Sequence, residues 1–155
     1  MKRNIVTAIS VAVLLTLGAA APAGSQEKPA ARKFISLTDG PSQTPFSPAI
    51  LVGDTLYISG MLGNDPATGK LAGETISAQT ERIFQNFEIV LKKAGMGLPN
   101  VVSATVFIMD FKEFAEFNAA FRKWFPKGPP TRATVQVSAL AMPGARLEIS
   151  AIAVR

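Results

Sequence analysis

The stretch Val101 to Met109 (VVSATVFIM) constrains the fold more than any other part of the chain. It is rich in β-branched residues, lacks Gly and Pro, and reads as a strand. Both of its faces are largely apolar, with Val101 and Phe107 on one and Val102, Val106 and Ile108 on the other. Such a strand needs cover on both sides. Packing alone must supply that cover, because the 155 residues include no Cys and no His. Disulfide scaffolds, thiolate catalysis and cysteine metal sites are therefore excluded. Ser-His-Asp and Cys-His catalysis, the HExxH zinc motif and histidine metal sites go with them. The chemistry left belongs to carboxylates, Arg, Lys, Tyr, hydroxyls and backbone groups. A composition of 48% hydrophobic and 17% charged residues describes one folded domain rather than a disordered chain.

Residues 1–23 read as a secretory signal peptide. Lys2 and Arg3 give a positive start, Ile5 to Leu17 form an apolar run, and Ala21-Pro22-Ala23 offers an A-x-A cleavage site. The run is shorter than the roughly 20 apolar residues a membrane span needs. A periplasmic or secreted protein with no membrane contact after cleavage is the expectation. Without Lys2 and Arg3 the 16 basic residues become 14 against 11 acidic ones, so the mature charge is about +3. No basic run exceeds two residues, and the chain has one Trp and one Tyr. A cationic face with stacking aromatics is not visible, so nucleic acid is not an expected partner.

Residues 24–33 (GSQEKPAARK) read as a flexible tether, and the domain is expected over 34–155. Ile50 to Ser59 looks like a hairpin turning at Gly53-Asp54, a pair suited to primed turns. From Ile76 the period changes: Ile76, Ile83, Phe84, Phe87, Val90, Leu91 and Ala94 form one helical stripe, stopped by Gly95 and Gly97. Asp110 with Glu113 resembles a capping box opening a second helix that carries Phe114, Phe117, Phe121 and Trp124 inward and stops at Pro126. Two more strands are expected, Thr131 to Leu140 and Arg146 to Val154. The order is β-β-α-β-α-β-β, an α+β mixed sheet with two helices on one face. An apolar second face then calls for self-association.

The last two strands alternate. Arg132, Thr134, Gln136 and Ser138 share one face of the first, and Arg146, Glu148, Ser150 and Ile152 one face of the second. In a simple hairpin about Pro143, Arg132 and Glu148 would stand several residues apart. They could share a site only if the last strand inserts elsewhere in the sheet, or if a second subunit completes the pocket.

Pro129-Pro130-Thr131-Arg132-Ala133-Thr134-Val135, followed by Leu147-Glu148-Ile149-Ser150-Ala151-Ile152-Ala153-Val154, resembles the closing signature of the RidA/YjgF family of reactive-intermediate deaminases. Pro45-Phe46-Ser47-Pro48-Ala49, Leu56-Tyr57-Ile58-Ser59-Gly60, Gln79-Thr80, Ala94-Gly95 and Phe114-Ala115-Glu116-Phe117-Asn118 agree in order. The resemblance implies a chorismate-mutase-like fold and a homotrimer with clefts between subunits. It also implies hydrolysis of enamines and imines, such as 2-aminoacrylate, to 2-keto acids and ammonia, with neither metal nor cofactor. By the same resemblance Arg132 pairs with the substrate carboxylate, a task suited to its planar, permanently charged fork. Glu148 positions water and relays protons. Thr134 offers a backbone amide where a Cys is common, Ser59, Gly60 and Asn118 line the pocket, and Phe46 falls where a Tyr is common. Ser150 stands where some members have a second Glu. Two other readings accompany deamination: a non-catalytic module that holds small carboxylates on Arg132, and, more weakly, an endoribonuclease.

Overall fold

The computed structural model describes residues 30–40 and 44–155. The signal segment and the tether as far as residue 29 lie outside the described residues. Six strands and two long helices follow in the order β1 (Arg32–Ile35), β2 (Ala49–Val52), β3 (Thr55–Leu62), α1 (Ile76–Lys93), β4 (Val101–Ile108), α2 (Phe114–Trp124), β5 (Thr131–Gln136) and β6 (Leu147–Val154). The expected mixed α+β sheet is therefore present, with one strand more than the sequence pattern showed. That strand, β1, opens at Arg32, inside the stretch expected to be tether, and pairs antiparallel with β2. Three of its four residues are exposed, so it carries little of the periodicity by which strands are recognised.

Local chemistry accounts for the boundaries. Gly53, at φ +57°, turns the hairpin between β2 and β3, with Val52 opposite Thr55. The Thr75 hydroxyl caps α1 by accepting from the Ala78 amide at 3.2 Å, and Gly95, at φ +73°, follows its C-cap. All the expected stripe residues of α1 are buried. Asp110 does cap a turn, accepting from the Lys112 amide at 2.9 Å. The capping box is not completed, however. The Glu113 carboxylate instead takes a 2.6 Å hydrogen bond from Arg146 Nε, a charge-assisted partner stronger than a backbone amide. Around Phe84, the rings of Phe87, Trp124, Phe121 and Phe125 lie 5.4–5.7 Å away and lock α1 to α2.

The sheet order is β1-β2-β3-β6-β4-β5. Thus β6 inserts between β3 and β4, antiparallel to both, and β5 runs parallel to β4 at the sheet edge. A parallel pair requires a crossover, which α2 provides. Leu147, Ile149, Ala151 and Ala153 of β6 and Ala104, Val106 and Ile108 of β4 are buried on the helix face. Val101 joins this buried set rather than siding with Phe107, because the β4–β6 register shifts between Val101 and Ser103. The opposite face lies open within one chain: Tyr57, Val102, Val135 and Ile152 are 51%, 46%, 47% and 36% exposed. The strand expected to be covered on both faces is covered on one.

Each of the last two strands is shorter than the sequence reading had it. β5 stops at Gln136 rather than Leu140, and Arg146 precedes β6 rather than opening it. The structure also shows which way each face of β5 points. Arg132 pairs with Ala104 and Thr134 with Val106, which puts the polar side of β5 toward α2. Ala133 and Val135 point with Thr105 and Phe107 to the open face.

Candidate active site in two halves

The first half is built around Glu148. It is the second residue of β6, opposite Leu62 of β3 and Phe107 of β4, and so stands on the open face. The β3–β6 register shifts between Ile58 and Met61, which sets Ser59 and Gly60 at a local irregularity beside it. Gly60 leaves the space in which the Glu148 carboxylate sits. A Cβ on Gly60 would come within 2.7 Å of the Glu148 carboxyl carbon and closer still to its Oε1. The carboxylate thus occupies the notch left by a missing side chain. Ser59 fastens this edge to the preceding loop, its amide donating to Pro48 O at 3.0 Å and its hydroxyl to Ser47 O at 2.8 Å. That loop presents Phe46, which is 55% exposed. Phe46, Ser59, Gly60 and Glu148 together line one cavity of about 510 Å³, joined by Leu37, Leu62 and Met142 among others.

The second half is built around Arg132 on the edge strand. Its Nη2 donates to Asn118 Oδ1 of α2 at 2.7 Å. The guanidinium carbon sits 4.6 Å from the ring centre of Phe121, 5.0 Å from Phe117 and 5.8 Å from Phe114. Each such cation–π contact contributes on the order of 0.5–2 kcal/mol and fixes the plane of the fork. Burial draws the Arg132 pKa below its usual value, yet a guanidinium starts so high that the group stays cationic. Asn118 therefore orients Arg132, rather than simply lining a wall. Arg132, Asn118 and Phe121 border a separate depression of about 330 Å³ together with Pro129 and Pro130. Thr134 lies two residues along on the same face of β5.

The two halves do not meet within one chain. β4 stands between β5 and β6, Arg132 faces the helices and Glu148 faces away from them. Insertion of the last strand, one of the two ways the pair could have been brought together, has occurred without uniting them. The sequence reading set these residues out as one site, with Ser59, Gly60 and Asn118 lining a single pocket; within one chain Asn118 stands with Arg132, and Phe46, Ser59 and Gly60 stand with Glu148.

Gln79 was visible in the sequence only as part of a matching dipeptide, and its role is structural to the first half. It is fully buried. Its Nε2 donates to Gly73 O at 2.9 Å and to Gly144 O at 3.0 Å, and its Oε1 accepts from the Arg146 amide at 2.8 Å. One amide thus ties helix α1 to the loop that ends in β6. A polar residue three positions after Ile76 and four before Ile83, inside an apolar stripe, was the available signal. Among the described residues, no group of three or more Asp and Glu side chains is arranged to hold a metal ion.

Residues 38–155 match the family model described as Endoribonuclease L-PSP. The chain belongs to this family. A curated bovine relative named 2-iminobutanoate/2-iminopropanoate deaminase is 42% identical over 125 residues, covering 80% of this chain and 90% of the relative. The human protein of the same name is 37% identical over the same shares of each chain. Among solved structures, RidA from an Antarctic Psychrobacter is similar with a TM-score of 0.72 and 36% identity, covering 79% of this chain and 99% of that one. The family's description and its relatives' names thus point to two different activities, and the site chemistry has to choose between them.

Proposed function

We propose that this member of the family is a hydrolase of the 2-iminobutanoate/2-iminopropanoate deaminase type, acting on enamines and imines of the 2-aminoacrylate kind. The observation that carries the reading is the pairing of an aromatic-braced, Asn118-oriented Arg132 with a carboxylate, Glu148, held in a glycine notch on a cavity wall. Arg132 binds the substrate carboxylate through the edge of the fork that Asn118 leaves free. Glu148, starting as the acid, delivers a proton to the enamine carbon, giving the protonated imine. It then takes a proton from water as the water oxygen bonds to the imine carbon, and passes it to nitrogen. As the C–N bond breaks and ammonia leaves, Glu148 takes the hydroxyl proton, which forms the 2-keto acid and restores the acid, with one water consumed per turnover.

Because the two groups stand on opposite faces of one chain, the reading includes self-assembly, as a homotrimer whose subunits share each site. Glu148 of one copy then works with Arg132 of the next. The uncovered apolar sheet face and the free edge of β5 support this. The N-terminal segment supports action in the periplasm or outside the cell. Deamination is favoured over RNA cleavage because the chain has no histidine and a mature charge of only about +3.

The test is a coupled assay on the mature protein in which the imine is generated in place and keto-acid formation is followed. Wild type should accelerate hydrolysis, and Arg132→Ala and Glu148→Ala should each lose at least about a hundredfold, the usual yield of a positioned acid–base group. A folded, assembled protein that binds a 2-keto acid through Arg132 without turnover would overturn catalysis in favour of a carboxylate-binding module.

A further inference from the structure

The walls around Glu148 carry more information than the reaction class. We propose that the side-chain pocket of this protein selects imino acids with large apolar side chains, of the size of those derived from leucine, methionine or phenylalanine, over the one- and two-carbon side chains named for its relatives. The inference rests on the deaminase reading for its placement of the substrate. With the carboxylate on Arg132 of a neighbouring copy and the imine carbon at Glu148, the substrate's side chain is the part left to lie against the cavity wall.

That wall is mostly apolar, with Thr44, Ser59, Asn64 and Asn86 as its uncharged polar side chains. Leu37 and Leu62 are half-buried around it, Phe46 adds an exposed ring with no hydroxyl, and Met142 contributes a flexible thioether. Methionine fills irregular space and accepts varied shapes, so branched, linear and aromatic side chains are all accommodated. Within one chain the depression measures about 510 Å³, and its lining extends beyond what a pyruvate-sized molecule touches. A methyl side chain leaves most of the wall bare. Charge sharpens the choice. Among the described residues Glu148 is the one acidic or basic side chain lining the cavity, so a second carboxylate on the substrate would find no cation on this wall. Imines derived from aspartate or glutamate are therefore disfavoured at the same site.

The experiment compares imines generated in place by an amino-acid oxidase from alanine, leucine, methionine, phenylalanine and glutamate. In parallel, calorimetry measures binding of pyruvate, 4-methyl-2-oxopentanoate and 2-oxoglutarate. A fully buried methylene multiplies affinity by about fourfold. Three further carbons on a half-open wall should therefore raise kcat/KM at least about tenfold from the alanine- to the leucine-derived imine, with the glutamate-derived imine lowest. Met142→Trp, which fills the wall, should bring the leucine-to-alanine ratio down toward one. If the alanine-derived imine is hydrolysed as well as or better than the others, the inference is overturned and the deaminase reading survives. If no imine is hydrolysed yet 4-methyl-2-oxopentanoate binds about tenfold tighter than pyruvate, the apolar selection stands and the deaminase reading falls. Absence of both turnover and selective binding removes both.

Discussion

At Gly60 the absence of a side chain fixes where the Glu148 carboxylate can stand. A methyl group there would collide with the far end of Glu148, which is flexible and can swing away without disturbing the backbone. Gly60→Ala should therefore fold normally, with stability within about 1 kcal/mol of wild type, since Ala in a strand recovers part of the entropy glycine loses. Deaminase activity should fall at least about tenfold because the proton relay has moved, a transition-state loss of about 1.4 kcal/mol. Gly63, three residues on, gives the control. A Cβ there would lie 2.6 Å from Gln79 Cα, which is backbone and has nowhere to go. Gly63→Ala should lower stability by about 1–3 kcal/mol, readable in urea unfolding, as overpacked cores do. The two glycines look alike as residues, and only the opposing atoms separate the notch that seats Glu148 from a packing contact.

The elements themselves were largely legible, and the misses have physical causes. Helix α1 declared itself through a long apolar stripe and a clear stop at Gly95. The insertion of β6 between β3 and β4 left no local mark, since Ile149 or Ala151 would be equally apolar beside any inner strand. The alternation of β5 does not say which face turns inward, and Arg132 is drawn inward by three phenylalanine rings and Asn118, all on α2. Gln79 is the element-scale link that no periodicity describes. Gln79→Leu would keep the volume but strand the Arg146 amide and two loop carbonyls, both carbonyls in glycines that water can reach. The expected cost is about 2 kcal/mol, from three modest hydrogen bonds lost with partial rehydration. Amide exchange at Arg146 should quicken, while the Gly95 amide at the far end of α1 stays protected by its bond to Lys92 O.

For the whole molecule, the question is whether one chain is a complete catalyst. Each half of the candidate site was recognisable from motifs, but motifs carry no information about which face of a sheet a side chain takes. The register supplies it: Arg132 sits beside Ala104 under the helices, and Glu148 beside Phe107 on the open face. If sites are shared, two inactive variants can repair one another. Arg132→Ala keeps Glu148 and Glu148→Ala keeps Arg132, so a contact between unlike subunits in the right order rebuilds one intact site. With equal amounts refolded together and random assembly, half of the subunits donate a good Glu148 and half a good Arg132. About a quarter of wild-type activity should then return, for any closed ring of identical contacts. Sites contained in single chains would return none, whatever the mixing ratio. The same logic gives the stability arm of the experiment. Val135→Lys places a charge on the open face and should leave the helix-side core folded by circular dichroism. It should shift the assembly toward monomer in sedimentation and abolish complementation along with activity. A fully active monomer would show instead that Arg132 and Glu148 do not need each other.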